Sequence, residues 1–421
     1  MTESDSRVPS PSYLAANNLY LDSAATEAAD PDVVKAMVPY MLQEFGNPAS
    51  VHTQGKLAAA TLHQAREEVA RHLGARTANV IFTSGGTESD NLAIKGIAMG
   101  MAARERNMSV SNDSESSPAA QARNEIVISA VEHPAVKESA YWLERNCGFR
   151  VLTVPVDAVG RVSLTALKTM VNHRTVLVSV MLANNEVGTI QAIRQISDIA
   201  HSCGAVMHTD AVQAAGLIPI DMAALGVDAL SISGHKFGTP KGIGVLLLRS
   251  SLPYEALISG GGQERGVRSG TQNVAAAVAM AVGLRKSCRH MVSQSRDLAN
   301  SARALADAVK QSVPNVQLTG DWENRLPGHV SMVFSDVSAE ALLVELDVRG
   351  ISCSSGSACA VGHMEASQTL IAMGFDRVSS KNSLRLTFRH PLTPAQIKWI
   401  VEILQASLSA LTPKRHHITH E

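Results

Sequence analysis

From Tyr20 to about Leu284 the chain alternates. Short aliphatic and β-branched runs are followed by turn residues and then by helical stretches. The runs at 80–83, 126–129, 176–182, 205–209, 229–233 and 244–249 predict strands. Several are apolar without a break, the pattern of strands covered on both faces. Strand–helix alternation of this kind predicts an α/β fold, a mainly parallel sheet with helices on both sides. The texture changes after residue 286. A long helical pattern at 293–313 precedes apolar runs at 330–334 and 384–388, and a closing helix is predicted over 394–411. These pieces predict a smaller α+β domain over 286–412, beside a large domain over 19–285. Residues 1–18 and 413–421 read as tails. The polar stretch RERNMSVSNDSESSPAAQARN, 104–124, reads as a surface insertion between a helix and a strand.

Composition narrows the classes. Lys plus Arg number 37 and Asp plus Glu 38, so no charge excess argues for nucleic acid or an anionic membrane. No apolar run approaches the ~18 residues of a membrane span. The N-terminus has no basic start leading into an apolar stretch, so no signal peptide is visible. The five cysteines (Cys147, Cys203, Cys288, Cys353 and Cys359) are scattered and form no CxxC pair, which argues against a disulfide framework or a zinc site. The expected setting is a reducing cytoplasm, with a small-molecule substrate. Cys359 stands out. In SSGSACAVGH it is surrounded by small residues, whereas a structural cysteine is normally wrapped by large apolar ones.

Four clusters follow predicted strands, where ligands of open α/β sheets bind. SGGTES places Gly85, Gly86 and Thr87 at a strand-to-helix turn. That is either an ordinary capped turn or a phosphate cradle of backbone amides. HTDAVQ puts Asp210 at a strand end, as a loop charge, a cap or the partner of a protonated ring nitrogen; Gln213 follows within reach of a neighbouring ring oxygen. SISGHKFGTPKG places Lys236 between Ser233, His235 and a Gly/Pro-rich stretch. A lone lysine is usually a surface charge, but one held at a strand end can form a Schiff base. EHPAV and LANNEVG supply His133, for stacking or proton transfer, and Asn185, for a ring hydroxyl; each also has an ordinary structural reading. The combination is more specific than its members. A phosphate loop, a strand-end aspartate and a strand-end lysine are what pyridoxal 5′-phosphate requires.

The stretches YLDSAAT, FGNPASVH, FTSGGTESDNLAIKG, EHPAV, LANNEVGTIQ, HTDAVQAAG, SGHKFGTPKGIG, GGGQERGVRSGT, SSGSAC and SLRLTF occur in this order over almost the whole chain. In this the sequence resembles the NifS/IscS-like cysteine desulfurases of the class V aminotransferase group, within the fold-type I pyridoxal phosphate enzymes. The resemblance implies roles position by position. Gly86 and Thr87, with Ser233 and His235, would hold the cofactor phosphate. Lys236 would form the Schiff base, Asp210 would pair with the pyridinium, and Gln213 and Asn185 would lie near the ring hydroxyl. His133 would stack on the ring and carry protons. Thr271 would reach the phosphate of a neighbouring subunit, implying a homodimer with shared sites. Arg385 and Asn185 would bind the substrate carboxylate. Cys359 would accept sulfur from L-cysteine as a persulfide, leaving alanine, and pass it to an acceptor such as an iron–sulfur scaffold protein. No resident metal is implied, although Cys359 could ligate an iron–sulfur cluster transiently. The spacing from Cys359 to Arg385 resembles that of the desulfurases that serve such scaffolds. Ser23, Glu27, Ala28, Gln263 and Phe388 depart from the usual pattern. Two other readings keep most of these residues: a selenocysteine lyase, and a persulfide carrier or scaffold-binding subunit with little turnover.

Overall fold

A computed structural model describes residues 18–111, 123–335, 337–356 and 365–411. The tail at 1–17, most of the polar stretch between 104 and 124, the Cys359 segment and the C-terminal tail therefore lie outside the described residues.

Strand β1 is the short pair Leu19–Tyr20. The main sheet contains β2 (Val80–Thr83), β3 (Glu125–Ser129), β4 (Arg150–Val154), β5 (Thr175–Ser179), β6 (Val206–Asp210), β7 (Ala229–Ser233) and β8 (Gly244–Leu248). Their spatial order is β2-β8-β7-β6-β5-β3-β4. Only β8 runs against the others: it is antiparallel to both β2 and β7, while the remaining pairs are parallel. The uninterrupted apolar runs have the predicted cause, because alternate residues feed cores on opposite faces. Val127, Val178, Met207, Leu230 and Leu247 pack on one side with helices Thr53–His72 and Val274–Arg289. Ile126, Ile128, Leu177, Val206 and Leu246 pack on the other with Ala93, Ile97 and Val136.

A second sheet orders β12 (Ser383–Thr387), β10 (His329–Phe334) and β9 (Val316–Leu318), with helices Met291–Ser312 and Pro394–Leu411 sharing its core. A two-residue strand, β11 (Ile351–Ser352), pairs in parallel with β1, and Leu21 packs into this second core. From Leu19 the chain thus runs first against the C-terminal region and then crosses to the main sheet. Thr387 Oγ1 accepts from the amide of Ala24 at 2.9 Å and helps fix that crossing. The predicted insertion begins later than its polar composition suggested. Helix Ile97–Ser111 continues through residues 104–111, whose Arg and Glu side chains favour helix.

One buried ion pair fixes the loop before helix Val274–Arg289. Arg66 donates from Nη1 and Nη2 to Glu264 at 2.7 Å each, and Glu264 also accepts from the Phe82 amide at 3.0 Å. Glu264 and Arg265 there hold positive φ values of 47° and 59°. Removing one member strands the other charge, so Arg66→Ala is expected to cost about 3–5 kcal/mol. Denaturant unfolding checks this; a loss below about 1 kcal/mol, the value of a surface pair, contradicts it.

Candidate active site

The parallel strands β2, β3, β5, β6 and β7 all end at one edge of the sheet. The loops leaving that edge enclose a cavity lined by Gly86, Thr87, His133, Asn185, Asp210, Gln213, Ser233, His235 and Lys236, together with Asp90, Met181 and Val212. Nine candidates drawn from five separate stretches of sequence therefore meet in one place.

The helix after β2 begins at Gly86, and its first-turn amides have no intrahelical acceptor. A Cβ on Gly86 would lie 2.8 Å from a Val212 methyl, so only glycine lets this turn approach the loop after β6. Glu88 braces the turn, accepting from the Ser84 amide at 2.7 Å and from Arg268 Nε at 2.8 Å. Lys236 closes the 3₁₀ turn Gly234–Lys236 after β7. Its Nζ donates to the carbonyls of Ala24 at 2.6 Å and Ala25 at 2.8 Å, and Gln213 Nε2 donates to the Ala24 carbonyl at 2.9 Å. His235 Nδ1 lies 3.1 Å from Thr26 Oγ1; burial, then the neighbouring lysines, push its pKa down to about 4. His133 caps helix Pro134–Cys147, its Nδ1 accepting from the Ala135 amide at 3.1 Å. That bond leaves Nε2 to carry the proton of the neutral ring. Burial lowers its pKa; Lys236 and Lys137 act in the same direction and Asp210 opposes.

The cavity floor is unusually acidic. Asp210 is 5% exposed and accepts from the Val212 amide at 2.8 Å. Burial raises its pKa, an effect that His133, that amide and Lys236 only partly offset. Asp90 is buried beside it, and Glu132 is buried nearby. Burial pushes Asp90 well above the carboxylate range, with Asp210 adding to the effect, and lifts Glu132 to about 8. His208, between Ser179 Oγ at 2.8 Å and Ser231 Oγ at 3.1 Å, is pushed down to about 3 by burial.

Arg385 does not line the cavity, but it is joined to it. Its Nη1 donates to the backbone carbonyl of Asn185 at 2.9 Å and its Nη2 pairs with Asp22 at 2.8 Å. Arg385 is 4% exposed, and its Nε has no hydrogen-bond partner among the described residues. A carboxylate arriving here would complete the donor set. Thr271 is exposed and does not line the cavity of its own chain. Cys359 lies outside the described residues; the stems on either side of it, 354–356 and 365–369, are described. Among the described residues no cluster of three His, Cys, Asp or Glu could hold a metal ion, and no helix is long and apolar enough to cross a membrane.

The model of the class-V aminotransferase family matches residues 19–398. The chain belongs to that family. Within it, the sequence is 42% identical over 393 residues to an IscS-like cysteine desulfurase of Mycobacterium tuberculosis, covering 93% of this chain and 96% of the relative. It is 38% identical over 400 residues to a cysteine desulfurase of Gluconacetobacter diazotrophicus, covering 94% of each chain. A solved NifS-like protein superposes with a TM-score of 0.83 at 32% identity, over 94% of this chain and all of that one. The architecture is accordingly that of a fold-type I transferase.

Asp90 lines the cavity, and Asp22, Glu132 and Glu186 lie around it; reading the sequence singled out none of the four. Asp90 had a local signal: it lies four residues after Gly86 and so shares its helix face. Glu132 directly precedes His133. Asp22 and Glu186 gain their meaning only from partners distant in sequence.

Proposed function

We propose that the chain is a cysteine desulfurase that uses pyridoxal 5′-phosphate, converting L-cysteine to alanine and placing the sulfur on Cys359. The observation that carries this reading is the convergence of Lys236, Asp210, His133, Asn185 and Gln213 on one cavity, above a helix start that only glycine permits. The similarity to named desulfurases over nearly the full chain supports it.

The residues present fit the cofactor. The Gly86–Thr87 turn, Ser233 and His235 would take its phosphate, and Asp210 its ring nitrogen. Asn185 and Gln213 would take its ring hydroxyl, His133 its face and Lys236 its aldehyde carbon. When bound, the cofactor supplies an electron sink that weakens bonds around the amino acid's α-carbon. The chain's own groups do the rest. Asp210 would pair with the ring nitrogen and favour its protonated form. Arg385 binds the substrate carboxylate. His133, kept neutral by burial and nearby lysines, accepts a proton at Nδ1 once that atom leaves the Ala135 amide, or donates one from Nε2. Cys359, as thiolate, attacks the substrate sulfur. An S–S bond forms and the Cβ–S bond breaks; the thiol is oxidised to a persulfide while the carbon is reduced to the methyl of alanine. The atoms balance without an external oxidant.

Several finer features belong to the same reading. The persulfide passes to a thiol of an acceptor such as an iron–sulfur scaffold protein, with Cys359 able to ligate a cluster transiently, in the cytoplasm. The chain acts as a homodimer. Val34, Val38, Met41, Leu42, Phe45, Val51 and Leu57 expose apolar side chains along one segment, Phe45 at 72% and Val51 at 86%. An exposed Thr271 is then free to serve the phosphate of the second copy. Sedimentation giving a monomer at assay concentration removes this part of the reading.

Cysteine and selenocysteine supplied separately, with alanine measured, test the substrate. Turnover of cysteine is expected. Alanine from selenocysteine but not from cysteine replaces the reading with a selenocysteine lyase; alanine from neither leaves a persulfide carrier. Arg385→Lys keeps the charge but loses the planar fork, and should raise KM for cysteine by about 10- to 100-fold, the value of hydrogen bonds to a charged group. An unchanged KM removes Arg385 from the carboxylate site.

A further inference from the structure

Glu186 lies next to Asn185, in the loop after β5, and the reaction as written gives it no task. Its side chain reaches the start of helix Gln368–Ala372. Oε1 accepts from Thr369 Oγ1 at 2.8 Å and Oε2 accepts from Ser367 Oγ. On the other stem, a Cβ on Gly356 would lie 2.8 Å from Glu186 Oε2, so the two are in close apposition. The Gly356 amide donates a hydrogen bond to Ser383 Oγ at 3.1 Å. Both stems of the Cys359 segment thus meet one carboxyl group.

The backbone around Glu186 is fixed independently. His329 Nε2 lies 2.9 Å from the Glu186 carbonyl, positioned to donate to it, and Arg325 Nη2 donates to the Val187 carbonyl at 2.8 Å. On the preceding residue, the Asn185 carbonyl takes Arg385, and Asn185 lines the cavity. The first stem is joined to the same arginine: the Arg385 amide donates to the Ser354 carbonyl at 2.7 Å, and Ser354 Oγ donates to Asp22 at 2.7 Å. The dipeptide Asn185–Glu186 therefore connects the cofactor cavity, the carboxylate-binding arginine and both stems of the thiol-bearing segment.

We infer that Glu186 is a positioning residue for sulfur transfer: it sets where the Cys359 segment is rooted relative to the cavity without touching substrate or cofactor. The inference rests on the desulfurase reading. A merely structural glutamate would affect folding, cofactor capture and sulfur transfer together. A positioning residue separates them, because displacing reacting atoms by about 1 Å costs on the order of 10²-fold in the step they perform.

The test uses cofactor-loaded protein in a single turnover with cysteine. Two quantities are followed: the cysteine-induced change in cofactor absorbance, and persulfide on Cys359. Glu186→Ala should leave the absorbance rate within about twofold and slow persulfide formation by about 10²-fold. Glu186→Gln, which keeps the shape and still bonds both hydroxyls, should recover most of the loss. If the alanine variant does not fold, Thr369→Val, which removes one of the two hydroxyl bonds, should show the same split to a smaller degree. Equal losses in both quantities, or no loss of persulfide, overturn the inference. A wild type whose cofactor responds to cysteine but which forms no persulfide overturns the desulfurase reading, and this inference with it.

Discussion

Replacing Lys236 by alanine is expected to remove the covalent cofactor absorbance and reduce alanine formation by about 10³- to 10⁴-fold, the scale of a lost covalent nucleophile. The geometry explains why no neighbour substitutes. Lys236 ends a short turn after β7, and its Nζ is held at the cavity by two carbonyls of the 24–25 segment. His235, next along, faces Thr26. Lys137, the other lysine near His133, donates to the Ala130 carbonyl at 2.8 Å and does not line the cavity. Cofactor should still bind non-covalently, because the helix start at Gly86 and Asp210 are unchanged. Absorbance spectra of the purified variant, with alanine assays, check both halves. A variant that keeps the wild-type spectrum and rate removes Lys236 from the chemistry.

Cys359→Ala should have the second large effect, of a different kind. The cofactor spectrum and its response to cysteine should remain, because none of the described cavity-lining residues is altered. Persulfide should vanish, and alanine formation should fall by about 10³-fold or more, the sulfur having lost its nucleophile. The other cysteines do not compensate. Cys353, six residues before it, is half-buried, and burial with Asp22 and Asp347 pushes its thiol up to about 12, far from the thiolate that attack requires. A Cys359→Ala variant that keeps full activity points instead to a plain aminotransferase, which needs no such thiol.

Much of this architecture was legible in the sequence because its cause is local. Strands buried on both faces read as unbroken apolar runs, and β2 and β7 fall where those runs do. The solvent-exposed edge strands β4 and β9 did not read so clearly, unlike the buried edge strand β2. In β4 four of five residues are partly or fully exposed, and in β9 all three are. Exposed edges keep polar residues, which blur the signal. The site divides in the same way. Residues that follow strand ends, such as Asp210 and Lys236, announce themselves by position. Asp22 does not: it meets Arg385 across 363 residues, and nothing near YLDSAAT foretells that pairing. The same holds for Glu186 and the hydroxyls of Ser367 and Thr369. Buried acids such as Asp90 take their role from being crowded together, a property of the folded chain and not of any short stretch.

The central claim is that sulfur leaves cysteine and arrives on Cys359. Mass spectrometry of the cofactor-loaded wild type after a brief exposure to L-cysteine tests it most directly, with alanine counted in the same sample. The account predicts one added sulfur on the peptide that carries Cys359, with alanine in equal amount. Alanine without sulfur on that peptide, or sulfur on another cysteine, would contradict it.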